Sequence, residues 1–97
     1  MTKAEIVNNI TDATGMEKVD VQQVVELFMK EVKSSLETGE NVYLRGFGSF
    51  FIKTRAKKIG RNITAGKPIE IPAHNIPSFK PAKVFLEKVK TNVKVQG

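Results

Sequence analysis

The feature that most constrains this chain is a stretch with nothing to bury. From Lys53 to about Ile76 the large apolar residues of a half-buried strand give way to Lys53, Arg55, Lys57, Lys58, Arg61 and Lys67. A strand that packs on a core needs every second side chain apolar, so this segment cannot be core. Two strand-like runs, 52–59 and 67–71, flank Gly60-Arg61-Asn62-Ile63-Thr64-Ala65-Gly66, a turn-rich loop with glycine at each end. The shape these features imply is a protruding two-stranded β-ribbon. Pro68 and Pro72 lack amide donors and suit strands that are edges and should not pair with other chains. An isolated ribbon is marginal in water, so its tip is expected to become ordered only on a ligand.

The remainder supplies a scaffold. Thr2 and Glu5 form a capping box ahead of Ile6, Ile10 and Ala13 on one helical face, and Gly15 ends that helix. Val21, Val24, Val25, Phe28, Val32 and Leu36 predict a second helix from about Lys18 to Thr38, stopped by Gly39. Asn41 to Leu44 is β-rich, Arg45-Gly46 can turn, and Gly48 to Lys58 reads as a long second strand, so a hairpin follows the helices. Phe47 and Phe50 are read as core residues, and Met16 and Met29 as packing residues. Pro81 fits the first turn of a last helix that runs to about Val93 with Val84, Phe85, Leu86 and Val89. Its free amides, with Lys80 and Lys83 beside them, make a phosphate site.

Charge is divided along the chain. Residues 1–44 hold four lysines against eight acids, a net of −4, and residues 45–97 hold twelve Lys or Arg against two acids, a net of +10. That asymmetry implies a positive surface carried by a separate scaffold and a polyanionic partner. The 97-residue length suffices for one domain with a small core, which favours oligomerisation. No cysteine and one histidine, His74, leave no parts for a zinc site or a nucleophilic triad. Gly46-x-Gly48 is not a nucleotide-binding loop. No metal, cofactor, small-molecule substrate or enzymatic activity is expected. No run approaches a membrane span and the first twenty residues carry four acids, unlike a signal peptide, so the expectation is a soluble cytoplasmic protein.

Basic side chains on an extended ribbon, an apolar residue at its tip and a lysine-rich helix start fit minor-groove architectural binding, with Ile63 as the wedge. An RNA-binding protein is the rival within nucleic-acid binding, but the arm carries no aromatic stacking platform. A non-catalytic assembly protein that pairs its arms with partners is opposed by the ribbon prolines and the basic half.

At these residues the sequence resembles the HU and integration host factor family of bacterial histone-like nucleoid proteins. Gly46-Phe47-Gly48-Ser49-Phe50, Arg55, Gly60-Arg61-Asn62 and Gly66-Lys67 stand at the family signature's spacing, and Ile76-Pro77-Ser78-Phe79-Lys80 resembles its closing segment. The resemblance spans essentially the whole chain.

It implies an α+β fold: an intertwined dimer with a helical body, a β-saddle and two protruding ribbon arms that wrap duplex DNA. On that frame residues 1–39 are a helical hairpin, 40–52 and 72–79 saddle strands, 53–71 the arm and 80–93 the C-terminal helix. The resemblance places Arg55, Lys58, Arg61 and Asn62 on DNA from the arm, where Lys53, Lys57, Ile63, Thr64, Gly66 and Lys67 join them. It places Lys3, Gly46, Ser49, Lys80 and Lys83 near phosphates from the body, and buries Phe47, Phe50 and Phe79. The partners it implies are double-stranded DNA and a second subunit, identical or a paralogue, in the bacterial nucleoid. A site-preferring subunit like integration host factor is the alternative to a sequence-independent binder. Ile63 stands where the family usually has proline, Lys58 where arginine is common, Ala65 where threonine is usual, and Ala82 where glycine is frequent.

Overall fold

The computed structural model describes residues 1–61 and 68–95. They fall into two compact units, Met1–Ser35 and Leu36–Gly97.

The first unit carries α1 (Lys3–Thr14) and most of α2 (Lys18–Glu37). Thr2 caps α1 as expected: its hydroxyl oxygen accepts from the Glu5 amide at 3.3 Å. Glu5 reciprocates through that hydroxyl, which donates to Oε1 at 3.3 Å. Gly15 closes the helix in the left-handed region (φ 73°), where its amide reaches the Thr11 carbonyl. Only Val7 and Val21 are buried, each 2% exposed. The helical spacing that predicted α2 is correct, yet Val24 and Phe28 on that face stay open.

In the second unit β1 (Val42–Leu44), β2 (Gly48–Arg55) and β5 (His74–Pro81) form an antiparallel sheet in the order β1-β2-β5. The β1–β2 turn puts Gly46 at φ 83°, the positive torsion a type II turn needs at its third residue, and the Phe47 amide donates to the Leu44 carbonyl at 2.9 Å. The inner face of the sheet carries Phe50 and Phe79, paired across the strands with ring centroids 4.9 Å apart. Phe47 joins them at 6.5 and 5.1 Å and stacks on Phe85 at 5.6 Å. Each such pair adds about 0.5–1.5 kcal/mol beyond burial. The cluster is the expected one, but within one chain Phe47 and Phe79 remain 45% and 36% exposed rather than buried.

The long strand expected over 48–58 is two strands. β3 (Lys58–Arg61) pairs with β4 (Pro68–Ile71) as a separate two-stranded sheet. Arg55 is opposite His74 and Lys58 is opposite Ile71, so two residues on each side separate the sheets and the register continues unshifted. That register sets Lys57 opposite Pro72, which has no amide to donate. The ladder breaks there while the pairing stays in phase.

α3 (Lys83–Asn92) starts later than expected. Lys80 and Pro81 belong to β5, and Ala82 is an extended N-cap (φ −64°, ψ 149°). A residue before proline avoids helical torsions, so Lys80 stays in the strand.

Candidate nucleic-acid interface

The pleat sorts the sheet's side chains. Strand alternation and register put Tyr43, Ser49, Lys53 and Arg55 on the face opposite the phenylalanines, with Lys80 across from Ser49 and His74 across from Arg55. Lys53, Arg55 and Lys80 are exposed on this outer face and Ser49 is half-buried. Phe51 shares the face but is half-buried.

At the turn end, Tyr43, Arg45, Gly46, Ser49, Lys80 and Lys83 line an open concavity of about 360 Å³. The Ala82 amide donates to the Phe47 carbonyl at 2.9 Å, tying the start of α3 to the β1–β2 turn. Ala82 has no side chain able to cap α3 and no acid lies in the first turn, so the amides there are available to an anion. Lys80, from a strand, and Lys83, from the helix, stand beside these amides on the same concavity. Arg45, which sequence reasoning does not single out, borders the same concavity; its position in the turn beside Gly46 is the signal that could have found it.

At the ribbon end, Arg55, Lys57, Lys58, Ile71 and His74 border a second concavity of about 570 Å³. Lys57 forms an ion pair with Glu70 at 2.6 Å, a pairing that only the cross-strand register reveals. The His74 ring nitrogen Nδ1 lies 3.0 Å from the Pro72 carbonyl. Arg61 ends β3. Asn62, Ile63, Thr64, Gly66 and Lys67, and with them the expected ordering of the tip on a ligand, lie outside the described residues.

Lys3 lies in the first unit, where its amine pairs with Glu26 at 2.9 Å; both side chains are about half exposed. The lysine hydrogen bond, and then one from Gln22, hold the Glu26 carboxyl below the usual carboxylate range. A phosphate reaching Lys3 has to compete with that carboxylate. Among the described residues no group of His, Asp and Glu is placed to hold a metal, and no helix is long and apolar enough to cross a membrane.

The family described as Bacterial DNA-binding protein matches residues 1–90. The chain belongs to that family. DNA-binding protein HU of Geobacillus stearothermophilus is 37% identical over 90 residues, covering 93% of this chain and all of that one. Integration host factor subunit alpha of Vibrio parahaemolyticus is 36% identical over 96 residues, covering 99% and 98%. Among solved structures, HU in an Anabaena HU–DNA cocrystal superposes with a TM-score of 0.87 at 32% identity, over 92% of this chain and 97% of that one. HU from Thermotoga maritima gives 0.64 at 27% identity, over 92% and 98%. The fold is therefore the α+β fold of the HU and integration host factor family of architectural DNA-binding proteins.

Proposed function

We propose that this HU-family protein acts as a dimer that binds duplex DNA in the nucleoid without strong sequence preference and bends it. The observation that carries the reading is the outer face of the sheet, on which Lys53, Arg55 and Lys80 are exposed and which leads in unbroken register into a ribbon bearing further cations. Lys80, Lys83, Ser49 and the α3 amides hold phosphates at one end of that face. Arg55 at the other end, and beyond the sheet Lys58 and Arg61 of the ribbon, follow the minor groove. Phosphate contacts supply affinity and carry no sequence information, which suits low specificity.

Dimerisation is supported by what one chain leaves open: Val24, Leu27, Phe28, Phe47 and Leu86 are each roughly half exposed. A 97-residue chain with so small a buried core gains its stability by covering such surface on a partner.

Bending is assigned to Ile63, which stands in the sequence where the family usually has proline. Inserting an apolar side chain partly unstacks a base step at a cost on the order of a few kcal/mol, recovered by the extra surface that bent DNA contacts. Isoleucine has the apolar volume but lacks the fixed φ of proline. Energy transfer across an end-labelled duplex tests this assignment. Ile63→Ala should lower the bend angle more than it lowers affinity at low salt, and an unchanged angle removes Ile63 from the mechanism. Native mass measurement of the protein alone and on a short duplex separates homodimer from heterodimer.

A further inference from the structure

One neutral group on the outer face is arranged to bind without adding charge. Tyr43, in the middle of β1, is 73% exposed. Among the described residues, the ring pairs involve phenylalanines alone, so the Tyr43 ring is not part of the aromatic cluster. The register sets Tyr43 opposite Ser49 and Ser49 opposite Lys80, so phenol, hydroxyl and ammonium form one row across all three strands. The three line the same open concavity beside the β1–β2 turn.

The orientation of the phenol follows from its neighbours. The Ile52 amide donates to Asn41 Oδ1 at 3.3 Å. A backbone N–H can only donate, so the oxygen end of the Asn41 amide must face Ile52 and its NH₂ must face the other way. That NH₂ donates to Tyr43 Oη at 3.3 Å. The phenolic oxygen is therefore used as an acceptor toward the protein, which leaves its own proton to be given outward.

We propose that Tyr43 donates a hydrogen bond from its hydroxyl to a phosphodiester oxygen of bound duplex DNA, with Asn41 as the residue that positions it. The proposal rests on the DNA-binding reading above and adds a residue to it. Phosphate fits this donor because the other two members of the row are a hydroxyl and an ammonium, both donors to an anionic oxygen. A base edge would call for mixed donors and acceptors.

A neutral donor and a cation leave different signatures. Neutralising a phosphate with lysine releases counterions and sets the slope of log affinity against log salt, whereas a phenol releases none. Tyr43→Phe removes one oxygen and keeps the ring. It should weaken binding to a duplex roughly tenfold in low salt, the size expected for losing hydrogen bonds to a charged group from both subunits. The salt slope should stay that of the wild-type protein. Lys80→Ala, run beside it, should weaken binding and flatten the slope.

Asn41→Ala should weaken binding less than Tyr43→Phe and add nothing in the double variant, because its effect passes through the phenol. Thermal unfolding checks that each variant is folded; if Asn41→Ala is not, Tyr43→Phe decides alone. Wild-type protein that binds the duplex no better at low salt than at high salt overturns the DNA-binding reading itself. Wild-type binding with an unaffected Tyr43→Phe variant overturns only the role of Tyr43. A Tyr43→Phe variant whose slope flattens also overturns it, since the phenol would then act by ordering the lysines.

Discussion

β2 and β5 form a sheet with a third strand and a cluster of four phenylalanines beneath it, while β3 and β4, in the same register two residues further on, have neither. The inner-facing Phe50 and Phe79 sit 4.9 Å apart in the sheet. In the ribbon Ile69, on the same side by the continuing register, is 46% exposed. The same hairpin is thus held in place at one end by packing and left to depend on its own hydrogen bonds at the other. The molecule thereby separates placing a cation from letting one adapt. Cations fixed on the sheet can sit at set distances from phosphates, and those on the ribbon can follow a groove whose shape varies with sequence.

Glycine substitutions give the sharpest test of that difference. A β-carbon on Gly48 would stand 2.5 Å from the Lys80 carbonyl oxygen and 2.6 Å from the Phe79 ring, with backbone and a packed aromatic unable to yield. Gly48→Ala should cost on the order of 3 kcal/mol in denaturant unfolding. On Gly60, in the ribbon, the nearest atoms are 3.6 and 3.8 Å away. Gly60→Ala should change stability by less than about 1 kcal/mol. Equal costs at the two positions would abolish the distinction between packed sheet and free ribbon.

Next in size is the charge on the two regions. Arg55→Ala, at the last rung of the sheet, should lower duplex affinity and reduce the salt slope by about 0.9 for each phosphate that is no longer neutralised. A smaller effect is expected at the interruption. Glu70 neutralises Lys57 on a largely exposed pair, so Glu70→Gln should alter stability by less than about 0.5 kcal/mol. It should nonetheless tighten DNA binding at low salt, because it removes an anion and releases a cation. Unchanged or weaker binding would show that Lys57 works only when held by Glu70.

The smallest effect lies in the helical unit. Glu26 titrates below its ordinary range because Lys3 and Gln22 donate to it. A carboxylate whose folded pKa is depressed stabilises the fold above its unfolded pKa and loses that contribution as pH falls through the folded value. Carbon-detected NMR titration should find the Glu26 carboxyl low in the wild type and returned toward the ordinary range in Lys3→Met. The associated stability change should be confined to acidic pH.

Local signals are the legible ones. Thr2, Gly15 and the 3.6-residue spacing place α1 and α2, and Gly46 and Gly48 place the hairpin turn, because each depends on residues a few positions away. The basic ribbon is legible for the same reason: losing an apolar face is visible along one strand. What escapes depends on pairing across the chain. Pro72 is recognisable as a missing donor, but only the register shows that it faces Lys57 and divides one expected strand into two. Lys80 reads as part of the helix start because Pro81 suits a first turn as well as a strand end. The row of Tyr43, Ser49 and Lys80 combines residues from three strands, and no window of sequence contains it.

The unshifted register has a further consequence for how such an arm can change length. Sheet and ribbon share one phase, so a single residue inserted on one side would invert every side chain beyond it. Two residues added to each strand would keep every facing and extend the reach by about 6.8 Å. Viable arms of this kind should therefore come in discrete lengths. The break at Pro72 interrupts bonding without resetting that count.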